Sequence, residues 1–482
     1  EFKDGSPTAV ANDGSWCIMS DSSGLLLLQS DNPAERIRLK MPKGRFRGTP
    51  IDGRPVTDGN RWMAARGFNP DIGTGLMGHP RDVFLWDLAD PEREPVTVHR
   101  HTEKIKYPWF ADGRVISAGP REILVTKLTE LDTHHSLRSD GGSISALRRS
   151  PDSRHLIAGY EDHAIRVWDL RQIEEDPRVL YGHGAPPKFV SMSQQGGWLV
   201  STDGTEAESR LWPLLTGMRG IEPIVVSGNE SWDVMAFSPD SQSVFFGGST
   251  QPDRNAPILS VRAESSSRSD PKEIHDKYYD LLSLQVSPDG KWILAVSHYL
   301  SPALLFLTAD LAADPIEIPL LGPPYTSVRF SNDGKWLILA SHHNHSAGLF
   351  RMDSAQRSAK PAEIEGIQQV ERTQPGRVRI SLAPRTVIIE PGNKWLLTES
   401  AESKVRLWRI SVGEIEISED LTPDYLAKSR IALSSPDGRW VFAEQDQSLR
   451  LVDLANPLDA PIELPRTLAE TCKILTRNHA LQ

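Results

Sequence analysis

Ser287-Pro288-Asp289-Gly290-Lys291-Trp292 reads as a tight hairpin turn that runs directly into a strand. Pro presets φ for the turn, Asp can bond the backbone that follows it, and Gly accepts a positive φ. The same signal returns at Asp13-Gly14-Ser15-Trp16, Asp333-Gly334-Lys335-Trp336 and Asp437-Gly438-Arg439-Trp440. Looser copies stand at 58–62, 112–115, 151–156, 196–198, 239–244 and 392–395, which makes ten. Successive copies are mostly about 40 to 50 residues apart, the period of a four-stranded propeller blade.

The surroundings of each turn supply the other strands. A strand such as 327–330 precedes it, and an apolar strand such as Trp336-Leu337-Ile338-Leu339-Ala340 follows. A third strand ends in a tip, Ile165-Arg166-Val167-Trp168-Asp169-Leu170, seen again at 83–88 and with altered ends at 210–214 and 405–410. Each tip leads into a Pro-marked turn, as at Asp90-Pro91, Asp176-Pro177, Asp314-Pro315 and Asn456-Pro457, and then a short fourth strand such as 316–319. The predicted fold is all-β, about ten four-stranded antiparallel blades over 6–40, 54–99, 106–138, 144–181, 187–226, 232–263, 281–319, 325–365, 385–418 and 429–465. Residues 466–482 read as the start of a further blade or a closing strand. Closure as one ring and division between two rings both stay open.

Composition agrees. The 482 residues include 35 Gly and 36 Pro, and only 38% are hydrophobic, which suits many short strands and many turns. The Gly24 to Leu28 apolar run is far too short to span a bilayer. A net charge of -10 with a pI near 5.8 argues against a broad nucleic-acid surface. Cys17 and Cys472 are the two cysteines, so no disulfide framework or cysteine metal site is expected, and a cytoplasmic location fits. Glu1 is not an initiator Met, and 472–476 matches a first strand with no second after it. A piece of a longer protein is expected.

These residues resemble the WD-repeat family over nearly the whole chain. Trp168-Asp169 is the dipeptide that names the family, Asp162 stands in the hairpin before it, and Gly182-His183 precedes Ser193 by the family spacing. The resemblance implies a buried set of His, Asp, Ser or Thr, and Trp that ties strands within a blade. Asp162, Trp168, His183, Trp212 and Asp446 are its structural candidates. No blade is expected to hold a complete set: Asp140 replaces His in the fourth, the fifth has an expanded hairpin, and Val452 replaces Trp in the tenth. Trp-Asp-Leu tips with Asp-Pro turns are most similar to WD repeats of large bacterial multidomain proteins. That implies other domains of the same longer chain as partners.

Catalytic and cofactor signatures are lacking. There is no Gly-x-Ser-x-Gly, Walker loop, His-Glu-x-x-His or calcium loop. Gly73-Thr74-Gly75-Leu76-Met77-Gly78 matches the dinucleotide fingerprint in letters but falls between two strands, without the helix that a pyrophosphate needs. His342-His343-Asn344-His345 sits at a hairpin tip, where adjacent side chains diverge. His99/His101 and His134/His135 are assigned to outer strands, and the basic run from Arg36 to Arg47 to a solvated connection. The expectation is no catalytic residue, no cofactor, no metal, no membrane and no nucleic acid.

Strand alternation divides the loops between two ends. The short Pro-Asp-Gly hairpins and Asp-Pro turns fall on one. The other carries the insertions 66–81, 247–256 and 342–346 and the connections 41–55, 264–280 and 366–384. Irregular loops on a rigid scaffold are where binding resides. Phe46, Phe68, Met77, Trp232, Tyr278, Tyr279 and His343 are therefore the candidate partner-binding residues. The expected function is a non-catalytic protein–protein interaction scaffold or sensor binding a protein or peptide through that face. The rival is a propeller accessory to a hydrolase of the peptidase or lactonase type, whose blades also use Ser-Pro-Asp-Gly-Lys turns.

Overall fold

The computed structural model describes residues 6–11, 15–21, 24–29, 36–42, 56–58, 61–67, 81–106, 108–138, 140–203, 208–214, 222–227, 234–247, 256–262, 272–278, 281–297, 303–318, 325–331, 333–341, 346–352, 380–381, 384–390, 392, 394–400, 405–409, 422–435, 438–445 and 448–464. They form ten antiparallel sheets whose strands follow one another in chain order, the blades that the repeat predicts. These sheets span 6–38, 56–100, 109–138, 144–180, 189–227, 234–278, 281–318, 325–381, 384–409 and 430–464. Helix among the described residues amounts to the 3-10 turn Leu170–Gln172 and the short helix Asp424–Ala427. None is long and apolar enough to cross a membrane.

Each recurring turn is locked by its own side chains. Gly290 holds φ +72, Gly334 +70 and Gly438 +79, the left-handed region that a Cβ disfavours. Ser153 and Ser241 occupy the equivalent place at φ 62 and 60 without that freedom. The Ser that opens the turn does more than its sequence announces. Ser287 Oγ donates to Asp289 at 2.6 Å and accepts the Trp292 N–H at 2.9 Å, so one hydroxyl joins the turn to the strand it launches. Ser150, Ser193, Ser238, Ser331 and Ser435 accept the N–H five residues on in the same way.

The Asp of the tip has a matching task. Asp87, Asp169 and Asp453 lie opposite Trp62, His155 and Trp440 in their sheets. There each takes two guanidinium hydrogen bonds from the Arg just before the second strand, Arg61, Arg154 or Arg439. Each also accepts the backbone N–H two residues on, from Ala89, Arg171 and Ala455. Asp87 is held below the usual carboxylate range chiefly by Arg61. These charges are satisfied within their own hairpins.

The chain divides into two compact units. The first holds blades one to three, nine and ten. In its first blade Leu25 and Leu27 pack on Met63, Phe84 and Trp86 of the second, while Leu26 and Leu28 pack on Phe442 and Leu451 of the tenth. Side chains alternate across a strand, so a continuous leucine run is what a blade covered on both faces requires. Val83 and Leu85 meet Val115 of the third blade, and Leu397 and Leu407 of the ninth meet Val441 and Val452 of the tenth.

The second unit holds blades four to eight and follows the same rule. Ile157 and Val167 pack on Val190, Leu199 and Trp212. Val200 and Leu211 then pack on Val244 and Phe246, and Phe245 on Ile293 and Phe306. Leu294 and Leu305 close on Leu337 and Met352. Each such side chain contributes roughly 1.5–3 kcal/mol of burial.

The ninth sheet shows three strands among the described residues, with the Thr422 hydroxyl accepting the Leu407 N–H at 2.9 Å beside its third, and the place expected for its fourth strand lies outside the described residues. Two expectations are corrected. The connection expected over 264–280 contains a strand, Lys272–Tyr278, paired with Ala256–Arg262. Its residues are mostly polar because it is the outermost strand, which hides it from a hydrophobic pattern. Ile380–Ser381 likewise pairs with Ser346–Arg351 inside the stretch expected as a connection.

Candidate functional site

The polar interior of the fifth blade is built from four side chains. His183 follows Gly182 on the way into the blade, Ser201 lies on the strand Trp198–Thr202, Asp203 follows that strand, and Trp212 lies on the strand Glu208–Pro213. Ser201 Oγ accepts the Trp212 indole N–H at 2.7 Å and meets His183 Nε2 at 2.7 Å. His183 Nδ1 is 3.6 Å from Asp203, an ion-pair distance longer than a hydrogen bond. With the indole filling one lone pair of Ser201, its hydroxyl proton is free to go to Nε2, leaving the Nδ1 proton toward Asp203. The expectation that no blade holds a complete His, Asp, Ser and Trp set is thus wrong for the fifth. Asp203 stands farther from Trp212 in sequence than Asp162 does from Trp168, and that displacement concealed it.

The third blade holds a variant. His101 Nε2 is 2.7 Å from Ser117 Oγ, and His101 Nδ1 is 3.4 Å from Glu122. Thr126 lies opposite Val115, two residues before Ser117, just as Trp212 lies opposite Leu199, two before Ser201. With Thr126 in the place of Trp, a second imidazole enters: His99 bonds Ser117 at 2.6 Å and Thr126 at 3.1 Å. Gly119 occupies the place of Asp203, where a Cβ would come within 3.3 Å of His101 Nδ1. The carboxylate is therefore supplied across the hairpin by Glu122. Burial, then the nearby His101 and His134, push His99 down to about 3. Burial pushes His101 to about 4 against the opposing pull of Glu122. Both rings are neutral at pH 7.

These two arrangements have the connectivity of Ser–His–carboxylate catalysis. Ser117 and Ser201 are each 0% exposed, however, so no external substrate can approach either hydroxyl in the folded chain. Their chemistry is to tie strands together. The ninth blade keeps a fragment, with the Trp408 indole donating to Thr398 at 2.9 Å. In the fourth blade Ala158 occupies the Ser position two residues after Leu156, which faces the buried Trp168. Asp162 departs from the role that the resemblance implies: it pairs outward with Arg166 at 2.6 Å and accepts the Ala164 N–H.

Phe46, Phe68, Met77, Trp232, Tyr279 and His343 lie outside the described residues, as do Asp446 and the 73–78 glycine run. Tyr278 closes the strand Lys272–Tyr278 instead of standing on a loop, and only its backbone is described. His99 and His135 lie on outer strands, with His101 and His134 directly beside those strands in sequence, and His99 and His101 are buried. Among the described residues no three metal-ligating side chains converge.

The family model of the WD domain, G-beta repeat, matches residues 126–169, from Thr126 through Trp168-Asp169. Over 97 residues the chain is 32% identical to NACHT domain- and WD repeat-containing protein 1 of Mus musculus, covering 19% of this chain and 6% of that one. It is 24% identical over 245 residues to nuclear distribution protein PAC1 of Arthroderma otae, covering 47% and 52%. With the human angio-associated migratory cell protein it shares 36% over 70 residues, covering 14% and 16%. The chain thus spans at most about half the length of these relatives. The crystal structure of a eukaryotic initiation factor superposes with TM-score 0.50 at 12% identity, covering 71% of this chain and 84% of that one. Ten antiparallel blades, the tip-and-turn chemistry and these matches together place the chain among the WD-repeat β-propeller proteins, as a divergent member.

Proposed function

We propose that this chain is a non-catalytic protein-interaction scaffold or sensor module that binds its partner through the end carrying the second-to-third-strand and blade-to-blade loops. The observation that carries this reading is the inwardness of the hairpins and tips at the opposite end. There the Ser and Asp of the fourth, sixth, seventh and eighth hairpins and the Arg–Asp pairs of the second, fourth and tenth tips are occupied with one another. Groups already satisfied locally offer a partner little. The sealed Ser–His pairs support a role without catalysis. One relative is named for a NACHT domain beside its WD repeats, which supports an array working inside a longer protein whose other domains use the binding event.

Replacing 66–81 or 366–384 by short Gly-Ser turns tests the reading. Proteins captured by the unmodified chain from its own cell extract should be lost from these variants while circular dichroism is unchanged. Substituting Asp314 and Pro315 should leave the captured set intact. The opposite sensitivity would overturn the assignment of the binding end, and a hydrolase domain in the same full-length protein would favour the accessory reading.

A further inference from the structure

Between the fourth and fifth blades, both within one compact unit, lies a cleft of about 680 Å³. One wall is the outer strand Arg178–Leu180 with the turn before it, and the facing wall includes Pro213 and Glu222. Among the described residues the outer strand pairs only with Ile165–Asp169 and is last in its sheet, with no strand on its second edge. The Arg178 guanidinium crosses to the Pro213 carbonyl at 2.8 Å, which fixes the spacing of the walls and engages the only Lys or Arg among the described residues that line the cleft.

Charge and exposure add a second feature. Glu175, Asp176 and Glu222 are exposed around the opening and hold no ion pair among the described residues. Asp169, which also lines the cleft, is already paired with Arg154. Tyr181 continues from the edge strand and is 68% exposed, the most exposed large apolar side chain among the described residues. An open strand edge, an exposed ring and uncompensated carboxylates select one chemistry. We propose that this cleft is a second docking site, taking an extended Lys- or Arg-bearing segment of a protein partner by strand addition to Arg178–Leu180. Main-chain hydrogen bonds would supply affinity, Tyr181 an anchor, and the carboxylates direction and register.

Fluorescence anisotropy of the full chain with a labelled decapeptide alternating lysine and valine tests this, against the same peptide with glutamate in place of lysine. The lysine peptide should bind and the glutamate peptide should not. Tyr181→Ala combined with Glu175→Gln, Asp176→Asn and Glu222→Gln should weaken binding at least about tenfold with an unchanged melting temperature. Tyr181→Ala alone should give part of that loss. No binding of the lysine peptide, equal binding of both peptides, or full binding by the combined variant would overturn the proposal. None of these outcomes touches the loop end, so the proposed function stands or falls separately.

Discussion

The Trp212 indole donates to Ser201 Oγ at 2.7 Å inside the fifth blade, and the same oxygen holds His183 Nε2. Ser201→Ala removes both partners at once and leaves a buried N–H and a buried ring nitrogen unsatisfied. The expected loss is about 2–4 kcal/mol in urea unfolding followed by circular dichroism. A loss under about 0.5 kcal/mol would mean that the set is ornamental to the blade.

Trp168 is 3% exposed, lies opposite Leu156, and meets Tyr160 edge-on at 6.5 Å between ring centroids. Trp168→Ala should cost about 3–5 kcal/mol through the cavity it leaves. A cost below about 1 kcal/mol would count against its place in the core of the fourth blade.

The two neutral imidazoles of the third blade make stability depend on mild acid. His99 near 3 and His101 near 4 in the folded chain stand against an ordinary value of 6.5. The unfolded chain therefore binds protons first. Their contribution is complete above about pH 6.5 and is lost progressively as pH falls below it, toward the folded values. Between pH 7.5 and 5 the loss should be up to about 4 kcal/mol, roughly 2 from each ring, and His99→Gln should flatten the slope. An unchanged slope in that variant would mean that His99 is not buried as described. Asp87 and Asp162, lowered chiefly by Arg61 and Arg166, lose their contribution only in the more acidic range of carboxylates.

The blades were legible because period and turn chemistry coincide at Asp289-Gly290 and its copies, where one φ requirement dictates one residue type. What escaped depends on pairing across strands. Glu122 reaches His101 from the far side of a hairpin, and Thr126 occupies the Trp position by register, not by a motif spacing. Asp203 is displaced by an insertion, and Lys272–Tyr278 lacks the apolar alternation of an inner strand. The cleft between the fourth and fifth blades arises from two sheets and has no local signature. Of the residues expected to bind a partner, the backbone of Tyr278 is the one part described, so the candidate binding end rests on strand order.

Hydrogen–deuterium exchange of the chain with and without a captured partner tests the central claim most directly. Protection is expected in peptides covering 43–55, 68–80, 248–255 and 342–345, with the Pro-marked turns Asp90-Pro91, Asp314-Pro315 and Asn456-Pro457 unchanged. Protection confined to those Pro-marked turns, with the four loop segments unaffected, would contradict it.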